Sequence, residues 1–401
     1  MIRFPIYLDN HSTTKVDPFV VEAMLPYFTE NYGNASSKSH EFGWKAEASV
    51  ELARKLVSRL LKCEPRDIIF TSGATESINL AIKGAAETHS AKGNHIVTTV
   101  IEHEAVLDSC KNLERKGFDV TYVKVNENGI VDPKNIADAF TEKTILVSVM
   151  YVNNEIGTVQ PIKEIAKLCK AKKILFHTDA TQAVGKLPID LSKLGIDMLS
   201  FSSHKMYGPK GVGALYKTGK LPRVRIAPQI DGGAQEKGLR AGTLNVPGIV
   251  GLGKACEIAA KELENESIRI SLLRDRLYNG IISAVKGVKL NGDLSKRIPG
   301  NLNISIDGID ADSLMISMKE VAVSTGSACS SEAVEPSHVL SAIGLDKNLM
   351  RSTIRFGIGR FNTEEEIDYV IKKFAEKAEY LRSVSPSNNG TRQKKGEYVE
   401  V

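Results

Sequence analysis

A chain of 401 residues, 42% hydrophobic and 25% charged, has the composition of a soluble globular protein long enough for two domains. Its formal net charge of +5 is small for this length and, with no zinc-finger, RNP-type or basic-helix pattern, argues against direct nucleic-acid binding. No apolar run is long enough to span a membrane, so no membrane partner is expected.

The opening run MIRFPIYLDNHSTTKVDP lacks the apolar core of a signal peptide and is too poor in Arg for a transit peptide, which predicts a cytoplasmic protein. Residues 44–62 place Val50, Ala53, Leu56, Val57, Leu60 and Leu61 on one helical face. Asp67–Thr71 predicts a strand that ends in a glycine turn, with a helix from about Thr75. Further strands are predicted at His95–Thr99, Val120–Val125, Thr144–Met150, Ile174–Thr178, Met198–Ser202 and Val212–Tyr216, with helical patterns between most of them. Apolar strands alternating with helices predict an α/β fold, a mostly parallel sheet covered on both faces. A helix-rich stretch, Val246–Val285, leads to a smaller α/β segment. Its strands are expected near Asn301–Ile306, Val321–Ser324 and Thr353–Phe356, and its helices near Asp310–Lys319 and Thr363–Arg382. The polar end, Ser383–Val401, predicts disorder.

Ligands of open parallel sheets bind beyond the carboxyl ends of the strands, so the residues after each strand belong together. They are Gly73-Ala74-Thr75-Glu76-Ser77, Glu102-His103-Glu104, Asn153-Asn154-Glu155, Asp179-Ala180-Thr181-Gln182 and Ser202-Ser203-His204-Lys205. Gly73-Ala74-Thr75 opens a helix and suits a phosphate, or is an ordinary capped turn. Asp179 can face a protonated ring nitrogen, a metal or a sugar hydroxyl, or cap a helix. Lys205, among hydroxyls and a histidine, can form a Schiff base, or be a solvated lysine. His103 can exchange protons or sit satisfied at a helix mouth. Arg355, in an apolar strand, requires an anion: a substrate carboxylate or an internal Asp or Glu. Singly each is ambiguous, but the set has the parts of a pyridoxal phosphate site for an amino acid.

The five cysteines, Cys63, Cys110, Cys169, Cys256 and Cys329, are odd in number and scattered, with no CxxC, which predicts free thiols rather than disulfides or a zinc site. Four lie in or near helical patterns, as packing residues do. Cys329 lies in Ser324-Thr325-Gly326-Ser327-Ala328-Cys329-Ser330-Ser331, where small polar neighbours allow a thiol to be reached and to move.

The runs YLDNHSTT, FTSGATES, EHEA, NNEIGT, HTDATQAVGK, SSHKMYGPKGVG, RAGTLNV, STGSACSS and IRFGIGRF together resemble the NifS/IscS-type cysteine desulfurases, pyridoxal phosphate enzymes of fold type I, from Tyr7 to about Arg360. The resemblance implies a seven-stranded-type sheet in a large cofactor-binding domain, 17–258. It implies a small domain, 1–16 with 259–382, that carries the cysteine loop. It assigns Lys205 to hold the cofactor, Asp179 to its ring nitrogen, Gln182 and Asn154 to its ring oxygen region, and His103 to stacking and proton transfer. Ala74, Thr75, Ser202 and His204 would hold the phosphate, with Thr243 reaching it from the other subunit of a homodimer. Arg355, beside Asn154, would bind the carboxylate of L-cysteine. Cys329 would take the substrate sulfur as a persulfide, release alanine, pass the sulfur to an iron–sulfur scaffold protein and other acceptors, and serve as a transient iron–sulfur cluster ligand. Iron–sulfur assembly and tRNA thiolation are the expected destinations. The end GTRQKKGEYVEV departs from the C-terminal pattern with which housekeeping members help to dock the scaffold. A selenocysteine lyase, an aminotransferase without need of Cys329, and a non-catalytic assembly subunit are the competing readings.

Overall fold

The computed structural model describes residues 2–220, 224–325 and 337–384; Cys329 and the tail from Ser385 onward lie outside the described residues. In chain order the strands are β1 (Ile6–Tyr7), β2 (Ile68–Thr71), β3 (His95–Thr99), β4 (Asp119–Val123), β5 (Thr144–Ser148), β6 (Leu175–Asp179), β7 (Met198–Ser202), β8 (Gly213–Lys217), β9 (Val288–Leu290), β10 (Asn301–Ile306), β11 (Val321–Ala322) and β12 (Thr353–Gly357). Seven form the main sheet in the order β2-β8-β7-β6-β5-β3-β4. The pairs from β7 to β4 are parallel, while β8 runs antiparallel to both β2 and β7.

Alternate side chains of these strands enter two separate cores, as the pleat requires. Phe70, Val97, Val147, Phe176, Leu199, Phe201 and Ala214 pack on one face with the helices Glu41–Leu61, Ile162–Lys172 and the first half of Val246–Ala284. Ile69, Ile96, Leu146, Met198 and Leu215 pack on the other with Ala74–His89 and Glu104–Glu114. In the helix Glu41–Leu61, Val50, Ala53, Val57 and Leu61 are buried as the periodicity predicts. Arg54 is buried with them, and its guanidinium donates to Glu236 at 2.7 and 2.9 Å. A buried cation in an apolar stripe is stable only with such a partner, and residue spacing does not reveal one 182 positions away.

The predicted helix-rich stretch is one 39-residue helix, Val246–Ala284. Its second half, with Ile270, Leu273, Leu277 and Ile281, covers the antiparallel sheet β12-β10-β9 together with the helix Glu364–Val384. Ile6 and Leu8 join this core, and β1 pairs in parallel with β11. β1 and β9 are too short for an alternation signal. No helix among the described residues is long and apolar enough to cross a membrane.

Glu102, just beyond β3, is fully buried. Its Oε1 accepts from Thr99 Oγ1 at 2.7 Å and the Met150 N–H at 2.9 Å, while Oε2 has no partner among the described residues. Burial raises its pKa to about 8. The protonated carboxyl therefore adds stability that is complete at low pH and is lost as pH rises through about 8. Glu102→Gln, which copies the neutral form, is expected to flatten this dependence: relative to the variant, the wild-type thermal midpoint falls by roughly 5 °C between pH 5 and pH 9. Parallel melting profiles for the two proteins would contradict this.

Candidate active site

A cavity of about 450 Å³ opens at the carboxyl ends of β3, β5, β6 and β7. Its wall includes Gly73, Ala74, Thr75, His103, Asn154, Asp179, Gln182, Ser202, His204, Lys205 and Arg355. Eleven positions the sequence singled out by chemistry or resemblance thus share one wall, Gly73 among them only as part of the helix-opening turn. Thr243 is exposed and is not on that wall.

Each side chain arrives by a local rule. The helix Ala74–His89 starts directly after β2, and no side chain caps it at Gly73. Its first amides stay open to an anion at the positive end of the helix dipole. The approach of β8 to this turn requires glycine: a Cβ on Gly213 would lie 2.7 Å from Gly73 Cα. Glu76, in the first turn, accepts from the Ser72 N–H and pairs with Arg240 at 2.8 Å. That pair anchors the RAGT run, with Thr243, beside the helix start.

Asp179 ends β6 and is buried. Its Oδ1 accepts from the backbone N–H of Thr181 at 2.9 Å and from the Thr181 hydroxyl. Among the described residues no bond uses Oδ2, so the carboxylate is fixed by one oxygen with the other left for a donor in the cavity. His103 caps the helix Glu104–Glu114, its Nδ1 accepting from the Ala105 N–H at 3.1 Å. In a neutral ring that bond places the proton on Nε2. The helix-mouth reading and the cavity reading of His103 therefore hold together.

Lys205 follows β7 in a short 3₁₀ turn. Its Nζ donates to the carbonyls of His11 at 2.7 Å and Ser12 at 2.6 Å. Beside it, His204 Nδ1 lies 3.1 Å from Thr13 Oγ1, and burial with the cations of Lys205 and Lys210 lowers its pKa to about 4. A neutral imidazole there carries one N–H, on the nitrogen facing Thr13 or on the other according to its tautomer.

Arg355, in β12, is buried and donates to Asp9 Oδ1 at 2.9 Å, Ser12 Oγ at 2.8 Å and the Asn154 carbonyl at 3.0 Å. The internal-carboxylate partner allowed by the sequence is present, yet the guanidinium also lines the cavity, and its buried Nε has no partner among the described residues. Asp9, His11 and Ser12 are site residues that the reading of strand ends missed. Their signal was the density of polar residues in YLDNHSTT, which follows too short a strand to register.

These groups fit a phosphorylated pyridine aldehyde and an amino-acid carboxylate: an uncapped helix start for a phosphate, the Asp179 carboxylate to accept from a ring N–H, Lys205 for an aldehyde, and an orphaned guanidinium N–H for the carboxylate. Among the described residues no group of three His, Cys, Asp or Glu side chains could hold a metal. The four described cysteines are free thiols, and all but Cys63 are buried. Burial pushes the thiols of Cys63, Cys110 and Cys169 up to about 12 and raises that of Cys256 as well. None of them is ionised near neutral pH, as a nucleophile must be.

The family model "Aminotransferase class-V" matches residues 6–370. The cysteine desulfurase IscS of Anaeromyxobacter dehalogenans (strain 2CP-C) is 53% identical over 96% of this chain and 95% of its own length. That of Rickettsia rickettsii (strain Iowa) is 52% identical over 96% and 94%. Among solved structures, a NifS-like protein superposes with a TM-score of 0.87 at 41% identity, covering 94% of this chain and 99% of its own. SspA in complex with cysteine superposes with a TM-score of 0.79 at 36% identity, covering 89% and 100%. The chain therefore belongs to the class-V aminotransferases, a family of pyridoxal phosphate-dependent enzymes, and within them to the cysteine desulfurases.

Proposed function

We propose that this protein converts L-cysteine to L-alanine and carries the sulfur away as a persulfide on Cys329. The observation that carries the reading is Lys205, held by two backbone carbonyls in the same cavity as Asp179, an open helix start and Arg355. A neighbouring structure titled as a complex with cysteine supports the substrate. In the overall reaction the C–S bond of the substrate breaks and an S–S bond to Cys329 forms. The substrate Cβ is reduced to a methyl group while its sulfur is oxidised, so no outside oxidant is needed.

When bound, pyridoxal phosphate supplies an electron sink for the bond between substrate Cα and its hydrogen. The helix start at Gly73–Thr75, with Ser202 and His204, holds the phosphate. Asp179 would accept a hydrogen bond from the ring N–H and keep that nitrogen protonated and charged. Asn154 and Gln182 face the ring oxygen. Arg355 takes the substrate carboxylate with the donors that Asp9, Ser12 and Asn154 leave over. Lys205 would hold the cofactor and move the proton at substrate Cα; His103, with its proton on Nε2, would stack on the ring and share in proton transfer. Cys329 is assigned by its setting in the sequence and by the unreactive thiols elsewhere. It lies outside the described residues, so its path to the cavity is part of the proposal.

We also propose a homodimer. Phe19, Leu25, Phe28, Phe42, Trp44 and Leu52 are exposed on the segments Pro18–Thr29 and Glu41–Leu61, an apolar surface of the kind that marks interfaces. Exposed Thr243 would reach the phosphate site of the other subunit. The large domain is taken as 17–258, and the small domain as 1–16 with 259–382. The sulfur goes to an iron–sulfur scaffold protein, where Cys329 is a transient ligand of the growing cluster, and to tRNA thiolation. The free thiols among the described residues support a cytoplasmic location.

Cys329→Ser is expected to lower alanine formation from L-cysteine by about a thousandfold or more while the bound cofactor's visible absorbance persists. Serine at Cys63, Cys110, Cys169 or Cys256 leaves the rate within about threefold in folded protein. Undiminished turnover in Cys329→Ser would overturn the reading. Lys205→Ala is expected to abolish turnover and the visible band, and a band that survives unchanged would remove Lys205 from the site. For the dimer, sedimentation should give twice the chain mass, and Thr243→Ala should weaken cofactor affinity about tenfold without changing that mass. A monomer with unaltered affinity would refute the shared site.

A further inference from the structure

Behind the cavity wall lies a residue that the proposed mechanism leaves unused. Lys186 stands one turn after Gln182, and its Nζ donates to Gln182 Oε1 at 2.7 Å. His11 Nδ1 lies 3.2 Å from the same oxygen. Oε1 only accepts, so the His11 ring carries its proton on Nδ1. Burial, then the cations of Lys186 and Arg355, hold the His11 pKa well below its usual value, which keeps the ring neutral. Gln182 Nε2 donates one N–H to the His11 carbonyl at 2.9 Å.

The valences of Gln182 can then be counted. Its carbonyl oxygen has two lone pairs, and two donors occupy them. Its amino group has two N–H bonds, and His11 takes one. A single N–H remains, on a side chain that lines the cavity. Turning the amide over would set its N–H groups against the Lys186 Nζ donor and its carbonyl against that of His11, leaving donor opposed to donor and acceptor to acceptor. Lys186 is held in place by the helical turn Ala180–Leu187, where the N–H groups of Val184 and Leu187 bond the carbonyls of Ala180 and Ala183. Burial with the Lys205 and Arg355 cations lowers the Lys186 pKa to about 7, but an amine donates to Oε1 as an ammonium does.

We propose that Lys186 is a positioning residue: it locks the Gln182 amide so that its N–H, not its carbonyl, faces the ring oxygen of the bound cofactor. The inference rests on the pyridoxal phosphate reading of the cavity. An N–H aimed at that oxygen favours its anionic form and lowers the pH at which the bound cofactor's visible band titrates.

The test is that midpoint, read spectroscopically without turnover, in the cofactor-loaded protein. Lys205, Arg355 and His11 face Lys186 from the cavity side, and Glu266 lines the small cavity on its other side; all are kept. Gln182→Ala and Lys186→Met should each raise the midpoint by about one pH unit. Removing a nearby cation would raise it too, so the double variant decides. If Lys186 acts through Gln182, Lys186→Met adds nothing in the Gln182→Ala background; if it acts as a bare charge, the shifts add and the proposal fails. Lys186→Arg keeps a donor and should keep the wild-type midpoint. A shift in that variant as large as in Gln182→Ala also overturns the proposal, even if Lys186→Met does not fold. A wild-type protein that shows no visible band with pyridoxal phosphate would instead remove the reading of the cavity itself.

Discussion

The structure turns on the backbone of Asp9–Thr14, which runs between the main sheet and the smaller one. Asn10, His11 and Thr14 are buried, and buried main-chain groups must find partners. They find them among the residues of the cavity. The His11 carbonyl takes Lys205 and Gln182, and the Ser12 carbonyl takes Lys205 again. The Thr14 N–H goes to the His204 carbonyl, and the Asn10 N–H to that of Gly357. Asp9 and the Ser12 hydroxyl receive Arg355. One segment thus fixes the positions of a lysine, a glutamine and an arginine drawn from distant parts of the chain.

The charges around the cavity follow the same logic. Lys205, Lys210 and Arg355 stand on its wall with Lys186 close behind, while Glu76 and Asp179 are the carboxylates on the wall and Asp9 pairs with Arg355. Burial, and after it the neighbouring cations, depress the pKa values of His11 and Lys186. A phosphate at the helix start and a carboxylate at Arg355 would offset those cations.

Much of this was legible in the sequence, for identifiable reasons. Most strands of the main sheet are short β-branched or apolar runs set between helices, and the rule that ligands sit beyond strand ends places Asp179, His103 and Lys205 together. Strand boundaries shifted by one or two residues: β4 spans Asp119–Val123 rather than Val120–Val125, and β5 ends at Ser148 rather than Met150. What escaped were pairings across the chain. Arg54 with Glu236, Arg355 with Asp9, and Lys186 with Gln182 and through it His11 depend on which surfaces meet. Residue type alone does not carry that information. The antiparallel direction of β8 was likewise hidden, since an apolar strand reads the same in either direction.

The account makes sulfur leave L-cysteine at the Lys205 cavity and arrive on Cys329, and on no other thiol. Mass spectrometry of the cofactor-loaded protein, after limiting L-cysteine in the absence of any reductant or acceptor, tests this most directly. The account predicts a gain of one sulfur atom confined to the peptide that contains Cys329, with one alanine released per sulfur gained. Alanine released while that peptide keeps its mass, or sulfur found on the peptides of Cys63, Cys110, Cys169 or Cys256, would contradict it.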